Sequence, residues 1–280
     1  MDSFRVFYDF NSLNAHLKGK GSDISVGLIP TMGALHSGHL SLIERGLKEN
    51  DFAVVTIFVN PKQFNNTSDL KTYPRTLDAD LEILAAYHGL YACIPKEEDV
   101  YPDNDNYKEP DLGILDQVLE GKYRPGHFQG VAHVVYNLFC LIQANKAYFG
   151  LKDFQQFAVI KQMVKNTGLH IELVGSPTIR NDEGLALSSR NEKLSYAQKN
   201  QALIIYKTLR FVLENKNTWS YSELKSNAIA YFNEGDLDLE YLDIVNAESF
   251  SPVGDKTNEK AVCCISAYCD KIRLIDNALL

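Results

Sequence analysis

The sequence predicts an α/β protein: a parallel sheet with helices on both faces, followed by a smaller C-terminal α/β domain. Two observations carry this. Short apolar, β-branched runs alternate with helical patterns through the first two thirds of the chain, the order expected of parallel strands covered on both faces. Near Ser176-Pro177 the pattern changes to long amphipathic helices and then to strands. In chain order, Ile24–Ile29 reads as a strand, Gly38–Lys48 as a helix and Phe52–Val59 as the strongest strand pattern. Thr76–Tyr87 has helical spacing, with Leu77, Leu81, Leu84 and Ala85 on one side, and Leu90–Ile94 is a strand. Leu112–Leu119 and Val131–Gln143 read as helices, Lys146–Phe149 as a short strand, Phe154–Asn166 as a helix and Ile171–Val174 as a strand. Helices follow at Tyr196–Glu214 and Ser220–Asn233. Strands at Glu240–Val245, Ala261–Ala267 and Arg273–Ile275 close the chain, with Ser251–Lys260 a polar linker. The expected division is residues 1–177 and 178–280.

Bulk properties narrow the function. The chain has 280 residues, 45% hydrophobic and 23% charged, in the range of ordinary globular proteins. No apolar run is long enough to cross a bilayer, and Met1-Asp2-Ser3-Phe4-Arg5 does not read as a signal peptide. A formal charge of −8 disfavours a nucleic-acid partner but leaves room for a small anion where cations converge. The five cysteines lack a Cys-x-x-Cys framework, which suits buried thiols in a reducing cytoplasm.

The chemistry-bearing segments follow the expected strands, where open α/β sheets bind ligands. After Ile24–Ile29 come Pro30-Thr31-Met32-Gly33-Ala34-Leu35-His36-Ser37-Gly38-His39. A helix beginning there presents unpaired N–H groups and a positive dipole end, and histidines three apart project from one face. That combination suits a polyphosphate. Solvated histidines, or metal ligands, are the competing readings, although no nearby Cys, Asp or Glu completes a zinc-like set. Asn60-Pro61-Lys62-Gln63-Phe64 follows the second strand. There Gln63 offers both a donor and an acceptor, and the alternative is an exposed turn. Asp153 reads as a helix N-cap or a Mg²⁺ ligand, beside Lys152 as a phosphate contact. Ser188-Ser189-Arg190 could grip a triphosphate or cap the next helix. Arg124-Pro125-Gly126-His127 reads as an exposed turn in which Pro125 and Gly126 are structural and His127 could line the site. Asp78 and Asp80 fall on opposite sides of a helical turn and do not form a shared metal site.

Taken together, these motifs resemble the pantothenate synthetase (pantoate–β-alanine ligase) family of the nucleotidylyltransferase superfamily. The matches are Pro-Thr-Met-Gly-Ala-Leu-His-Ser-Gly-His at 30–39, Phe-Val-Asn-Pro-Lys-Gln-Phe at 58–64, Tyr-Pro-Arg-Thr at 73–76 and Arg-Pro-Gly-His-Phe at 124–128. Lys-Asp-Phe-Gln-Gln at 152–156, Leu-Ser-Ser-Arg-Asn at 187–191 and Arg-Leu-Ile-Asp-Asn at 273–277 complete the series, in order along the chain. The resemblance implies a Rossmann-like fold, a homodimer, and condensation of (R)-pantoate with β-alanine driven by ATP and Mg²⁺.

By motif, the resemblance assigns Met32, Gly33, Ala34, Leu35, His36, Ser37, Gly38 and His39 to ATP. It also assigns Gly150, Leu151, Lys152, Asp153, Ile179, Leu187, Ser188, Ser189 and Arg190 to ATP. His39, His36, Lys152 and Arg190 would be catalytic, with His39 as proton donor, and Gln63 and Gln156 would hold pantoate, Gln63 also meeting β-alanine. No metal ligands are assigned. The chain departs from the family at Ser37 and Leu151, where acidic residues are usual, and at His133 and Asn137, where Thr and Lys are usual. Competing functions are an adenylyl- or cytidylyltransferase that stops at the nucleotide adduct and a non-catalytic regulator. A regulator is expected to have lost one of His36, His39, Lys152 or Arg190, and all are present.

Overall fold

Nine strands and ten α-helices alternate along the residues that the computed structural model describes, 2–254 and 260–280. In order they are β1 (Arg5–Phe7), α1 (Phe10–Lys18), β2 (Val26–Thr31), α2 (Ser37–Glu49), β3 (Phe52–Ile57), α3 (Thr67–Thr72), α4 (Leu77–Leu84) and β4 (Leu90–Cys93). Next come α5 (Glu97–Val100), α6 (Glu120–Tyr123), α7 (His127–Leu141), β5 (Lys146–Gly150), α8 (Phe154–Thr167) and β6 (Glu172–Ser176). The chain ends with α9 (Tyr196–Asn215), α10 (Tyr221–Phe232), β7 (Asp238–Asn246), β8 (Ala261–Cys269) and β9 (Ile272–Leu279). Within the expected linker Ser251–Lys260, residues 255–259 lie outside the described residues.

Two compact units form. The first comprises Met1–Leu112, Arg124–Leu151 and Gln156–Pro177; the second comprises Gly113–Tyr123, Lys152–Gln155 and Thr178–Leu280. The first is built on a six-stranded sheet of order β1-β4-β3-β2-β5-β6, parallel throughout. Its β-branched strands pack their apolar faces against the helices: Ile29, Val55, Leu90 and Tyr148 join Leu42 and Ile43 of α2 and Leu84 of α4 in one core. Removing such side chains from water contributes roughly 1.5–3 kcal/mol each.

The order of the sheet reverses between β2 and β5, and the strands part there. Pairing of β2 with β5 is confined to Gly27 and Leu28, while pairing with β3 continues to Thr31. Pro30 therefore sits in a central strand on the stretch where the β5 ladder has ended. A switch point of this kind is where open α/β sheets place their ligands.

The second unit is a three-stranded antiparallel sheet, β7-β8-β9, packed against α9 and α10. Its core includes Ile205, Leu209, Leu224, Phe232, Ile244 and Ile265. Among the described residues no helix is long and apolar enough to cross a membrane.

Three expectations are corrected. Leu112–Leu119 is not a helix: only the 3-10 turn Gly113–Asp116 forms, because Gly113 and Leu119 both adopt positive φ (56° and 46°), which the right-handed helix excludes. The opening strand and helix, β1 and α1, went unread; β1 spans three residues and, among the described residues, pairs only with β4. His127 is 5% exposed, not part of an exposed turn.

Candidate active site

Where β2 ends, the chain turns sharply. Gly33 and Ala34 both adopt left-handed backbone conformations (φ 75° and 50°). Such a turn exposes successive N–H groups, and Asp80 of α4 fills it. Its carboxylate accepts from the amides of Ala34 (2.9 Å) and Leu35 (2.8 Å) and from Thr76 Oγ1 (3.2 Å). Asp80 is 2% exposed, while Asp78 is exposed. Asp80 thus fixes the turn that delivers His36 to the start of α2. The sequence carried the signal, since Asp80 lies three residues after Leu77 and four before Leu84, on the apolar stripe of α4.

The two histidines cap their own helix. His36 Nδ1 accepts from the Gly38 amide (3.1 Å), and His39 Nδ1 accepts from the His36 amide (3.3 Å). The rings lie 4.1 Å apart, both half-buried. A ring nitrogen that accepts from a backbone N–H carries no proton, so each neutral ring is the tautomer protonated at Nε2. The helix end therefore offers two imidazole N–H donors in addition to its dipole.

Gln63 lies in a 3-10 turn after β3 and is 9% exposed, so it is not part of an exposed turn. Asn60, 1% exposed, sets its orientation. Asn60 Oδ1 accepts from the Lys62 amide (3.1 Å), and Asn60 Nδ2 donates to the Gly130 carbonyl (3.1 Å) and to Gln63 Oε1 (3.1 Å). Gln63 Nε2 then reaches Met32 Sδ at 3.2 Å, so Met32 and Gln63 meet. The close approach of α7 to this turn requires glycine, because a Cβ on Gly130 would lie 2.2 Å from the Lys62 carbonyl oxygen. His127 supports the turn, its Nδ1 bonded to the Gln63 carbonyl (2.8 Å) and its Nε2 to Arg124 (2.9 Å). Tyr101 donates to Asn60 Oδ1 (2.6 Å); burial pushes its phenol well above the ordinary range, so it stays a neutral donor.

The departures His133 and Asn137 share one partner. Asp105 Oδ2 meets His133 Nε2 at 2.5 Å and Asn137 Nδ2 at 3.0 Å. Burial opposes ionisation of Asp105, but the hydrogen bonds from Asn137, His133 and the Tyr107 amide outweigh it and hold the carboxyl below its usual value. Ser37 is exposed on the first turn of α2. Gly150 and Leu151 lie at the carboxyl end of β5, and Gln156, half-buried, is in the first turn of α8.

In the second unit, Ile179 and Leu187 are brought together by a hydrogen bond from the Leu187 amide to the Ile179 carbonyl (2.9 Å). They flank a loop closed by the Arg180–Ala186 bridge. Asp276 holds Arg180 through both guanidinium nitrogens (2.5 and 2.9 Å). Ser188, Ser189 and Arg190 follow this loop directly, and Ser188 Oγ donates to Asn191 Oδ1 (2.7 Å). Lys152 and Asp153 lie in a 3-10 turn, where Asn277 Nδ2 donates to the Lys152 carbonyl (2.9 Å). Sequence reasoning gave no role to Asn60, Asp80, Tyr101 or Asn277. Each acts by holding another residue, and apart from the place of Asp80 on the apolar stripe of α4 these partnerships leave no local pattern.

The fold and this helix end define a class: a doubly wound α/β protein with an anion-favouring, twin-histidine helix N-terminus at its switch point. The chain belongs to the pantoate-beta-alanine ligase family, whose model matches residues 5–279. A Bacteroides fragilis protein called pantothenate synthetase is 42% identical over 281 residues, covering 98% of each chain. A Porphyromonas gingivalis protein of the same name is 43% identical over 288 residues, covering 99% of this chain and 98% of its own. The crystal structure of pantothenate synthetase from Thermus thermophilus superposes with a TM-score of 0.89 at 38% identity, over 98% of both chains. Pantoate-beta-alanine ligase from Francisella tularensis, complexed with beta-gamma ATP and beta-alanine, gives 0.80 at 35% identity, over 99% of this chain and 98% of that one.

Proposed function

We infer that the protein condenses (R)-pantoate with β-alanine to pantothenate, converting ATP to AMP and diphosphate through a pantoyl adenylate. The observation that carries this is the family match from residue 5 to 279. The chain keeps His36, His39, Gln63, Lys152, Gln156 and Arg190 within that match.

A carboxylate resists attack by an amine until its oxygen is turned into a leaving group. A pantoate carboxylate oxygen attacks the α-phosphorus and diphosphate departs with the electron pair of the broken P–O bond. The β-alanine amine then attacks the acyl carbon, AMP leaves, and the nitrogen loses its proton. The two Nε2–H groups of His36 and His39 suit charge that builds on phosphate oxygens, and they act already oriented by their backbone caps. We assign Met32, Gly33, Ala34, Leu35, Ser37, Gly38, Gly150, Leu151, Asp153, Ile179, Leu187, Ser188 and Ser189 to ATP, and Lys152 and Arg190 to its phosphates, on motif resemblance. The Ala34 and Leu35 amides are taken by Asp80, so any contact from those two residues uses other atoms. Gln63 and Gln156 are assigned to pantoate.

Among the described residues no three His, Cys, Asp or Glu side chains are grouped to hold a metal ion. The Mg²⁺ implied by the family resemblance would be carried by phosphate oxygens and water, with at most one or two protein ligands. When bound, the ion offsets phosphate charge. The family resemblance further supports residues 1–177 as the nucleotide- and pantoate-binding domain, 178–280 as the smaller domain, a homodimer, and a cytoplasmic location. The test is AMP release from ATP with each partner omitted in turn. AMP is expected only with both pantoate and β-alanine; steady AMP formation without the amine would favour a transferase that stops at the adduct.

A further inference from the structure

The orientation of the Gln63 amide is decided by groups that cannot change role. The Lys62 amide can only donate, so the Asn60 atom facing it is the carbonyl oxygen; the Gly130 carbonyl can only accept, so the atom facing it is the amide nitrogen. Asn60 Nδ2 must then meet the oxygen of Gln63, which leaves Gln63 Nε2, with its N–H donors, as the far end of the chain. The remaining bond to Asn60 Oδ1 comes from Tyr101 Oη at 2.6 Å.

The Tyr101 ring is itself held by two neighbours. The Lys62 ammonium sits 3.7 Å from its ring centroid, and the His133 ring meets it edge-on at 4.8 Å. His133 is in turn stacked on Tyr107 (4.1 Å, 10°) and bonded to Asp105, which Asn137 also binds. Asn137 Nδ2 further donates to the Val100 carbonyl, next to Tyr101 (2.8 Å). Two of the four positions where the chain departs from its family, His133 and Asn137, thus hold the segment that carries Tyr101.

We propose that Tyr101 is a positioning residue for substrate: through Asn60 it holds Gln63 as a hydrogen-bond donor, so that the pocket reads an acceptor oxygen of pantoate. This rests on Gln63 holding pantoate. Without the phenol, Asn60 keeps the Lys62 and Gly130 bonds that set its orientation, but Asn60 Oδ1 loses one of its two donors, so the Asn60–Gln63 pair is held less tightly in that arrangement.

The experiment compares wild type, Tyr101→Phe, Gln63→Ala and the double variant, measuring KM for pantoate and for ATP and the melting temperature. Phe keeps the ring, and with it the His133 and Lys62 contacts. Tyr101→Phe is expected to raise the pantoate KM several-fold, up to about tenfold, the scale of one lost hydrogen bond. The ATP KM should stay within about twofold, and the double variant should be no worse than Gln63→Ala within the same margin, because the relay acts through Gln63 alone. Equal movement of both KM values, multiplication of the two single effects, or a lowered melting temperature with both KM values unchanged would overturn the proposal. If Gln63→Ala itself leaves the pantoate KM unmoved, the assignment of Gln63 fails first and takes the relay with it.

Discussion

His39 holds two positions at once. Its Nδ1 caps the amide of His36, and its Nε2 carries the proton that the proposed chemistry needs. The His39→Ala variant should therefore lose about 10²–10³ in adenylation rate, the typical cost of one transition-state donor. Loss of the cap adds only about 0.5–2 kcal/mol of instability, so the protein stays folded. Single-turnover adenylation measured beside a thermal melt separates the two effects, and a folded variant turning over within a few-fold of wild type would remove His39 from the chemistry. Residues of this kind were legible in the sequence because the signal is local: two histidines, a glycine between them and a strand before them. Gln63 was legible as a position, but the direction of its amide was not, since that depends on Gly130 and Tyr101, 67 and 38 residues away by their numbers. Asp80 was read only as lying across a helical turn from Asp78, the two not sharing a metal. Its place on the apolar stripe of α4 signalled burial, but its grip on the Ala34 and Leu35 amides became visible only in the folded chain.

Elements were legible wherever periodicity ran for several residues. The strand expected at Ile24–Ile29 forms at Val26–Thr31, two residues later, because pairing with β3 carries Pro30 and Thr31 into the ladder. The expected helices at Tyr196–Glu214 and Ser220–Asn233 form within one residue of those bounds, each started by a serine capping box (Ser195 with Gln198, Ser220 with Glu223). Strand β9 was expected only as Arg273–Ile275, yet it spans Ile272–Leu279. Its polar residues obscured the alternation because they bind inward. Arg273 is forked between Glu120, at 2.7 Å to each oxygen, and Glu240, while Tyr241 donates to Glu120 (2.6 Å). Side-chain exposures of 16%, 8% and 12% for Arg273, Glu120 and Glu240 place this pair of ion pairs in the interior. Removing the cation leaves two buried carboxylates uncompensated, so Arg273→Ala should destabilise the second unit by about 3–5 kcal/mol. Arg273→Lys should recover little of that loss, because an ammonium cannot bridge two carboxylates as a planar fork does. Chemical-denaturation midpoints of the two variants check this, and an unchanged midpoint for Arg273→Ala would refute it.

At the scale of the whole molecule, the −8 charge and the family chemistry pull in different directions, because ATP, pantoate and diphosphate are all anions. On the proposed assignment, the α2 N-terminus meets this with its dipole and the imidazoles of His36 and His39, and Lys152, Arg190 and Mg²⁺ supply the cations for the phosphates. The first step exchanges one anhydride, that of ATP, for another, that of the acyl adenylate, so it runs in both directions while diphosphate stays bound. With ATP, Mg²⁺ and pantoate alone, the protein is therefore expected to exchange labelled diphosphate into ATP, since reversal of adenylation needs only the bound pantoyl adenylate and diphosphate. β-Alanine should be unnecessary for exchange and should suppress it, because the amine drains the adenylate forward to pantothenate and AMP. His39→Ala should lose exchange and overall turnover together, whereas a variant impaired only in amine attack should keep exchange and lose turnover. Exchange that requires β-alanine would point to a single concerted step and overturn the adenylate route, whatever the fate of the individual residue assignments.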